Sequence, residues 1–132
     1  MTIQKMIDIA SDNIQSGKEN VPFFLSKRQH EEILDLAKKI NTENGLGLDN
    51  RVIHTAILEK GLEVSKDLKI EEVFDICTKL RFEKSTEPRG PTGFVIAIDT
   101  HNKIKELARI FSIKNNEAHF VAFLVGIKLM QG

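Results

Sequence analysis

Displaced by 71 positions, this sequence meets itself. Leu25–Ile40 falls on Ile96–Phe111, with His30 on His101, Ile33 on Ile104, Leu36 on Leu107 and Ala37 on Ala108, while Leu25/Ile96, Asp35/Glu106 and Lys38/Arg109 keep their chemistry. Downstream the displacement becomes 65, because the first copy has a longer connection, NTENGLG. Asn50 then meets Asn115, His54 meets His119 and Gly61 meets Gly126, with Leu48/Ile113, Leu58/Phe123 and Leu62/Ile127 as apolar partners. A change of length confined to a Gly- and Asn-containing loop is where a repeat tolerates one, and whatever one copy folds into, the other is expected to follow.

Each copy has the same three parts. A short apolar run, VPFFLS in the first and GFVIAI in the second, has the length and the Phe, Val and Ile content of a strand. A helix start comes next: Ser26 with Gln29 three residues on fits a capping box, and Asp99 or Thr100 can cap the second copy. The helix buries Ile33, Leu36, Ala37 and Ile40, and again Ile104, Leu107, Ala108 and Phe111, at the i, i+3, i+4, i+7 spacing of an amphipathic face. A second helix opens at Asp49 or Asn50 and at Asn115, whose short side chains satisfy first-turn amides. In the second copy its body, HFVAFLVGIKLM, is apolar nearly all round and should lie at the centre of the core. Gly61 and Gly126 sit inside these helices, where glycine costs about 1 kcal/mol relative to alanine; close approach of another helix explains their presence.

Three pieces stand outside the repeat. Residues 2–16 place Ile3, Met6, Ile7, Ala10 and Ile14 at helical spacing, and residues 70–82 place Val73, Phe74, Cys77 and Leu80 on one face. EKSTEPRGPTG, rich in Pro, Gly, Ser and Thr, reads as a linker or exposed loop. The chain thus divides into an N-terminal helix (1–17), a first copy (20–66), a connecting helix and linker (67–92) and a second copy (93–132).

Composition narrows the class. With 41% hydrophobic residues in 132, the chain can fill one compact domain or two very small ones. The first residues lack the uninterrupted apolar core of a signal peptide, and the greasiest stretch, Phe120–Ile127, is far short of the roughly 20 residues that span a bilayer. A soluble cytoplasmic protein without a membrane partner is expected. The single cysteine, Cys77, lies in an apolar phase and reads as a buried structural thiol. The 19 basic residues balance the 19 acidic ones, yet the balance is local: six acids face three bases in 59–75, whereas four bases face one acid in 103–114.

Strand, helix, turn, helix in about 45 residues resembles the ribbon-helix-helix family of DNA-binding proteins, the MetJ and Arc type. Leu25, Ser26, Ile33, Leu36, Ala37, Leu48, Asn50 and Ala56 match the family's order in the first copy, as do Ile96, Ile104, Leu107, Ala108, Ile113, Asn115, Glu117 and Val121 in the second. The two copies cover roughly two thirds of the chain. Members of the family are usually dimers whose strands pair antiparallel into a ribbon that enters the major groove. The resemblance therefore implies a mainly α fold with a two-stranded antiparallel ribbon, a tandem pseudo-dimer in which Phe23–Ser26 pairs with Phe94–Ile98, and an asymmetric DNA site.

Carrying the family's register over, the outward ribbon positions are Asn20, Pro22 and Phe24 in one copy and Pro91, Gly93 and Val95 in the other. Asn20 alone among them can make a bidentate base contact, with Phe24 and Val95 suited to thymine methyls. An apolar ribbon face also suits a cover: the N-terminal helix, a protein partner or a second molecule. Phosphate contacts are expected from Arg81, Lys84, Arg89, Lys103, Lys105 and Arg109, with Lys79 beside them, and from the amino ends of the second helices at Asn50 and Asn115. The implied function is a transcriptional repressor or an accessory factor of a DNA-processing complex such as a plasmid relaxosome; the rival is a protein-interaction module that keeps the fold without DNA. No enzyme, cofactor or metal is expected. The four histidines are repeat equivalents without ligand spacing, Glu31/Glu32 and Glu71/Glu72 diverge on a helix, and Gly45 and Gly47 lack the lysine of a phosphate loop.

Overall fold

The computed structural model describes residues 2–91 and 93–131. The elements run α1 (Ile3–Ser16), β1 (Lys18–Pro22), α2 (Lys27–Asn44), α3 (Asn50–Ser65), α4 (Ile70–Thr86), β2 (Gly93–Ala97), α5 (Ile98–Phe111) and α6 (Asn115–Gln131). The order helix, strand, helix, helix thus occurs twice. The two helices expected outside the repeat each precede a strand, α1 by one residue and α4 by six, and α1 packs on α3 as α4 packs on α6. In α1, Met6, Ile7 and Ala10 are buried as their spacing predicts; the side chain of Ile3 lies outside the described residues. Among the described residues no helix is long and apolar enough to cross a membrane.

The first strand lies earlier than its apolar content suggests. β1 is KENVP, and it pairs antiparallel with β2 so that Lys18 faces Ala97, Asn20 faces Val95 and Pro22 faces Gly93. Of VPFFLS only Val21 and Pro22 belong to the strand; beyond them Phe23, Phe24 and Leu25 are all buried, whereas a pleat sends successive side chains to opposite faces. The chain leaves the ladder there and rejoins it at a bridge between Ser26 and Arg89. The expected pairing of Phe23–Ser26 with Phe94–Ile98 is therefore replaced by Lys18–Pro22 with Gly93–Ala97. Both ends of the ribbon are closed in the same way: Lys27 N–H donates to Pro88 O at 2.8 Å, and Ile98 N–H donates to Gly17 O at 3.0 Å.

The helix starts are only partly alike. α2 carries the capping box, with Gln29 N–H on Ser26 Oγ at 3.1 Å and Ser26 N–H on Gln29 Oε1 at 3.0 Å. β2 runs directly into α5, whose cap position is Ala97; neither Asp99 nor Thr100 caps it, and the Thr100 hydroxyl instead donates to Glu59 at 2.9 Å. α2 ends at Gly45, whose φ of 64° is the left-handed conformation that glycine adopts without strain. α4 continues to Thr86, so the first residues of the presumed linker are its last turn. Phe74 lies on its solvent side, one 100° step from buried Val73.

The core is the contact of α3 with α6. Both helices are buried over most of their length, and Phe120 and Phe123 are wholly enclosed. They cross at Gly61 and Gly126, each of which lies against the other helix's backbone.

Candidate nucleic-acid interface

The ribbon has two unlike faces because its side chains alternate. Val21, Phe94 and Ile96 point inward and are buried. Lys18, Asn20, Pro22 and Gly93 are exposed and Val95 is half-buried on the outer face. α1 packs on α3 and α5 and also meets both strands, and at the Lys18 end of this face Ala97 is wholly buried. The Asn20 amide lies across Gly93, close enough that a Cβ there would meet its Oδ1 at 2.8 Å. Phe24 is corrected: only 5% exposed, it cannot present its ring to a groove, and the exposed Arg89 guanidinium stands 5.9 Å from the ring centroid.

Beneath the ribbon is an aromatic floor. Phe23 and Phe94 approach with ring centroids 4.3 Å apart, Phe23 stacks on His119, and His54 meets Phe94 edge-on at 5.1 Å. The Nε2 atoms of His54 and His119 are 3.3 Å apart. One of them must carry the proton and the other must offer a lone pair. Burial pushes the His54 imidazole down to about 3, with His30 adding to the effect, and burial followed by His54 and His101 holds His119 well below the ordinary imidazole range. Both rings are neutral at physiological pH. His119 Nδ1 and His30 Nδ1 are buried without a hydrogen-bond partner among the described residues, where no group of three or more His, Cys, Asp or Glu is placed to hold a metal ion.

A cleft of about 180 Å³ opens beside β2, between His30 of α2 and the first turn of α3 at Asn50, Arg51 and His54. The amino ends of the second helices already hold carboxylates. Asp49 caps α3, accepting Arg51 N–H at 2.6 Å and the Arg51 guanidinium at 2.6 and 2.9 Å, and this pairing holds its carboxyl below the usual range. In α6 the Glu117 carboxylate accepts Lys114 N–H at 2.9 Å. Asn50 and Asn115 are thus first helical residues beside an acid, which reduces the pull of either helix end on a phosphate.

The expected basic set is dispersed. Lys103 Nζ lies 2.8 and 3.0 Å from the two oxygens of Glu59, a carboxylate only 6% exposed that also accepts Thr100 and Asn13. Arg109 pairs with Glu106 on its own helix, and Arg81 pairs with Glu117 at 3.5 Å. Lys84 and Lys105 are exposed. Of the set, Arg89 alone takes part in the ribbon ladder, opposite Ser26. Lys18, at the other end of the outer face, has no place in the sequence reading; its signal was the lone apolar Val21 in KENVP, the pattern of a strand with one wet face. Comparison with family models, curated proteins and solved structures finds no match to this chain.

Proposed function

We propose that the chain is a tandem ribbon-helix-helix pseudo-dimer that binds double-stranded DNA through the outer face of its ribbon, as a repressor or as an accessory factor of a DNA-processing complex. One observation carries the reading. The bonds Lys27 N–H to Pro88 O and Ile98 N–H to Gly17 O exchange under the 71-residue displacement, so the halves contribute equivalently to one ladder centred on Pro22 and Gly93. The 65-residue displacement likewise exchanges His54 with His119 and Gly61 with Gly126, and both pairs meet between α3 and α6.

Lys18 and Arg89 are exchanged by the 71-residue displacement and stand at opposite ends of the ribbon, Lys18 opposite Ala97 and Arg89 opposite Ser26 at the isolated bridge. Eight residues of fully extended chain span at most about 27 Å at roughly 3.4 Å per residue, so even a shorter path between the two cations can bridge a groove about 12 Å wide. Asn20 supplies the amide that can read adenine; its equivalent is Pro91, so the preferred site is asymmetric. A second reading rests on the centre of the face, where exposed Pro22 and Gly93 and half-buried Val95 offer little for base edges and suit a protein partner.

Fluorescence anisotropy with a random-sequence duplex at low and moderate salt separates the two. DNA binding predicts a salt-dependent association weakened by Lys18→Ala and by Arg89→Ala. Absence of association at low salt removes the DNA reading and leaves the protein-binding one.

A further inference from the structure

The two helices that precede the strands differ on their solvent faces. When α1 and α4 are aligned through their buried residues, Ile7 with Cys77 and Ala10 with Leu80, the exposed positions Gln4, Asp8 and Asp12 of α1 correspond to Phe74, Thr78 and Phe82 of α4. Phe74 is 53% exposed, Phe82 65% and Ile70 55%. Ile70 and Phe74 are four residues apart and Phe82 is eight further on, so with Thr78 between the two phenylalanines they follow one i, i+4 row along the helix. Large apolar side chains held in water in a contiguous stripe mark a contact surface.

The charges along α4 identify the occupant. Glu71, Glu72 and Asp75 fill the first half, and Lys79, Arg81 and Lys84 the second, where Arg81 is 65% exposed at its side chain and also reaches Glu117 of α6 at 3.5 Å. Glu83 is turned inward, accepting Gln29 at 2.8 Å and Arg28 at 3.2 Å, and leaves the second half basic. The helix dipole accounts for acids at the start and bases at the end, but it gives no reason for two exposed phenylalanines between them. A contact between identical copies about a two-fold axis must be self-complementary. This surface is so in one orientation. With two α4 helices antiparallel about Thr78, Phe74 of one copy lies level with Phe82 of the other, since both stand four residues from the centre, and each acidic half faces a basic half. A parallel pair would set acid against acid and base against base.

We infer that the outer face of α4 is a dimerisation surface for a second copy of this chain, paired antiparallel about Thr78. A single helix pair buries less than the roughly 1,200 Å² of a standard stable interface, so the dimer is weak and concentration-dependent. The assembly carries two ribbons, whatever each ribbon binds.

Sedimentation equilibrium over a concentration series, without DNA, tests the association separately from the proposed function. The apparent mass should rise towards twice that of the chain, and Phe74→Ser with Phe82→Ser should weaken the association at least tenfold while leaving the thermal melt in place. A wild-type mass that stays monomeric throughout, or a double variant that associates as the wild type does, overturns the inference. Orientation is read with a short thiol crosslinker, the wild type with its buried Cys77 giving the background. Thr78→Cys should link to itself, whereas Ile70→Cys should not, because its two copies lie about 24 Å apart along the helices. Equal linking at both positions, or none at Thr78→Cys where the wild type is dimeric, contradicts the antiparallel pair.

Discussion

Gly61 and Gly126 face each other where α3 crosses α6. A Cβ built on Gly61 would fall 1.9 Å from the Ala122 carbonyl oxygen, and one built on Gly126 would fall 1.9 Å from that of Ile57. The obstacle is backbone in both cases, so no side chain can rotate away. Gly61→Ala and Gly126→Ala must each drive the central helices apart despite the better helix propensity of alanine. Each is expected to cost about 3 kcal/mol or more in urea unfolding, and a loss below about 1 kcal/mol would show that the helices are not in this contact.

The buried histidine pair sets an acid limit on stability. His54 and His119 are held neutral in the fold, with His54 at about 3 against an ordinary value of 6.5. Below pH 6.5 the unfolded chain takes up protons that the fold refuses, so stability is full above that pH and falls as pH drops towards 3. The slope is up to about 1.4 kcal/mol per pH unit for each histidine. Urea unfolding at stepped pH measures it, and His54→Phe with His119→Phe should flatten the curve in this window. An unchanged slope in that variant would place the acid sensitivity elsewhere.

Lys103 and Arg89 should separate structure from binding. Lys103 neutralises the enclosed Glu59 carboxylate but is itself half in water, so Lys103→Ala is expected to lower stability by about 1 kcal/mol and to leave DNA association unchanged. Arg89→Ala should do the reverse. Paired urea and anisotropy measurements decide this, and a DNA defect in Lys103→Ala would move the interface onto α5.

The salt response of binding should report the two ends of the ribbon separately. Lys18→Ala and Arg89→Ala are each predicted to reduce the slope of log affinity against log salt by about 1. Asn20→Ala should leave the slope intact and lower the preference between sequences. Equal slopes in all three variants would mean that neither cation meets a phosphate.

Most helices were legible because their burial repeats every three to four residues, as at Ile33, Leu36, Ala37 and Ile40. The first strand was not. KENVP buries Val21 alone, whereas the conspicuous Phe23, Phe24 and Leu25 pack where the chain has left the pleat. Phe74 follows buried Val73 in sequence, yet one step around the helix carries it into solvent. Of the candidate interface, Asn20 and Arg89 are legible in the sequence, whereas Lys18 joins it only because the strand begins at Lys18, ahead of the apolar run. The engagement of Lys103 by Glu59 joins residues 44 apart in sequence and has no local signature.

Chemical-shift mapping of the folded chain with a short DNA duplex tests whether the ribbon is the DNA-binding surface. The perturbed amides should cluster at residues 18–22 and 89–97, with smaller changes at the first turns of α3 and α6. Perturbations gathered instead on the outer face of α5, or none at saturating duplex, would contradict that assignment.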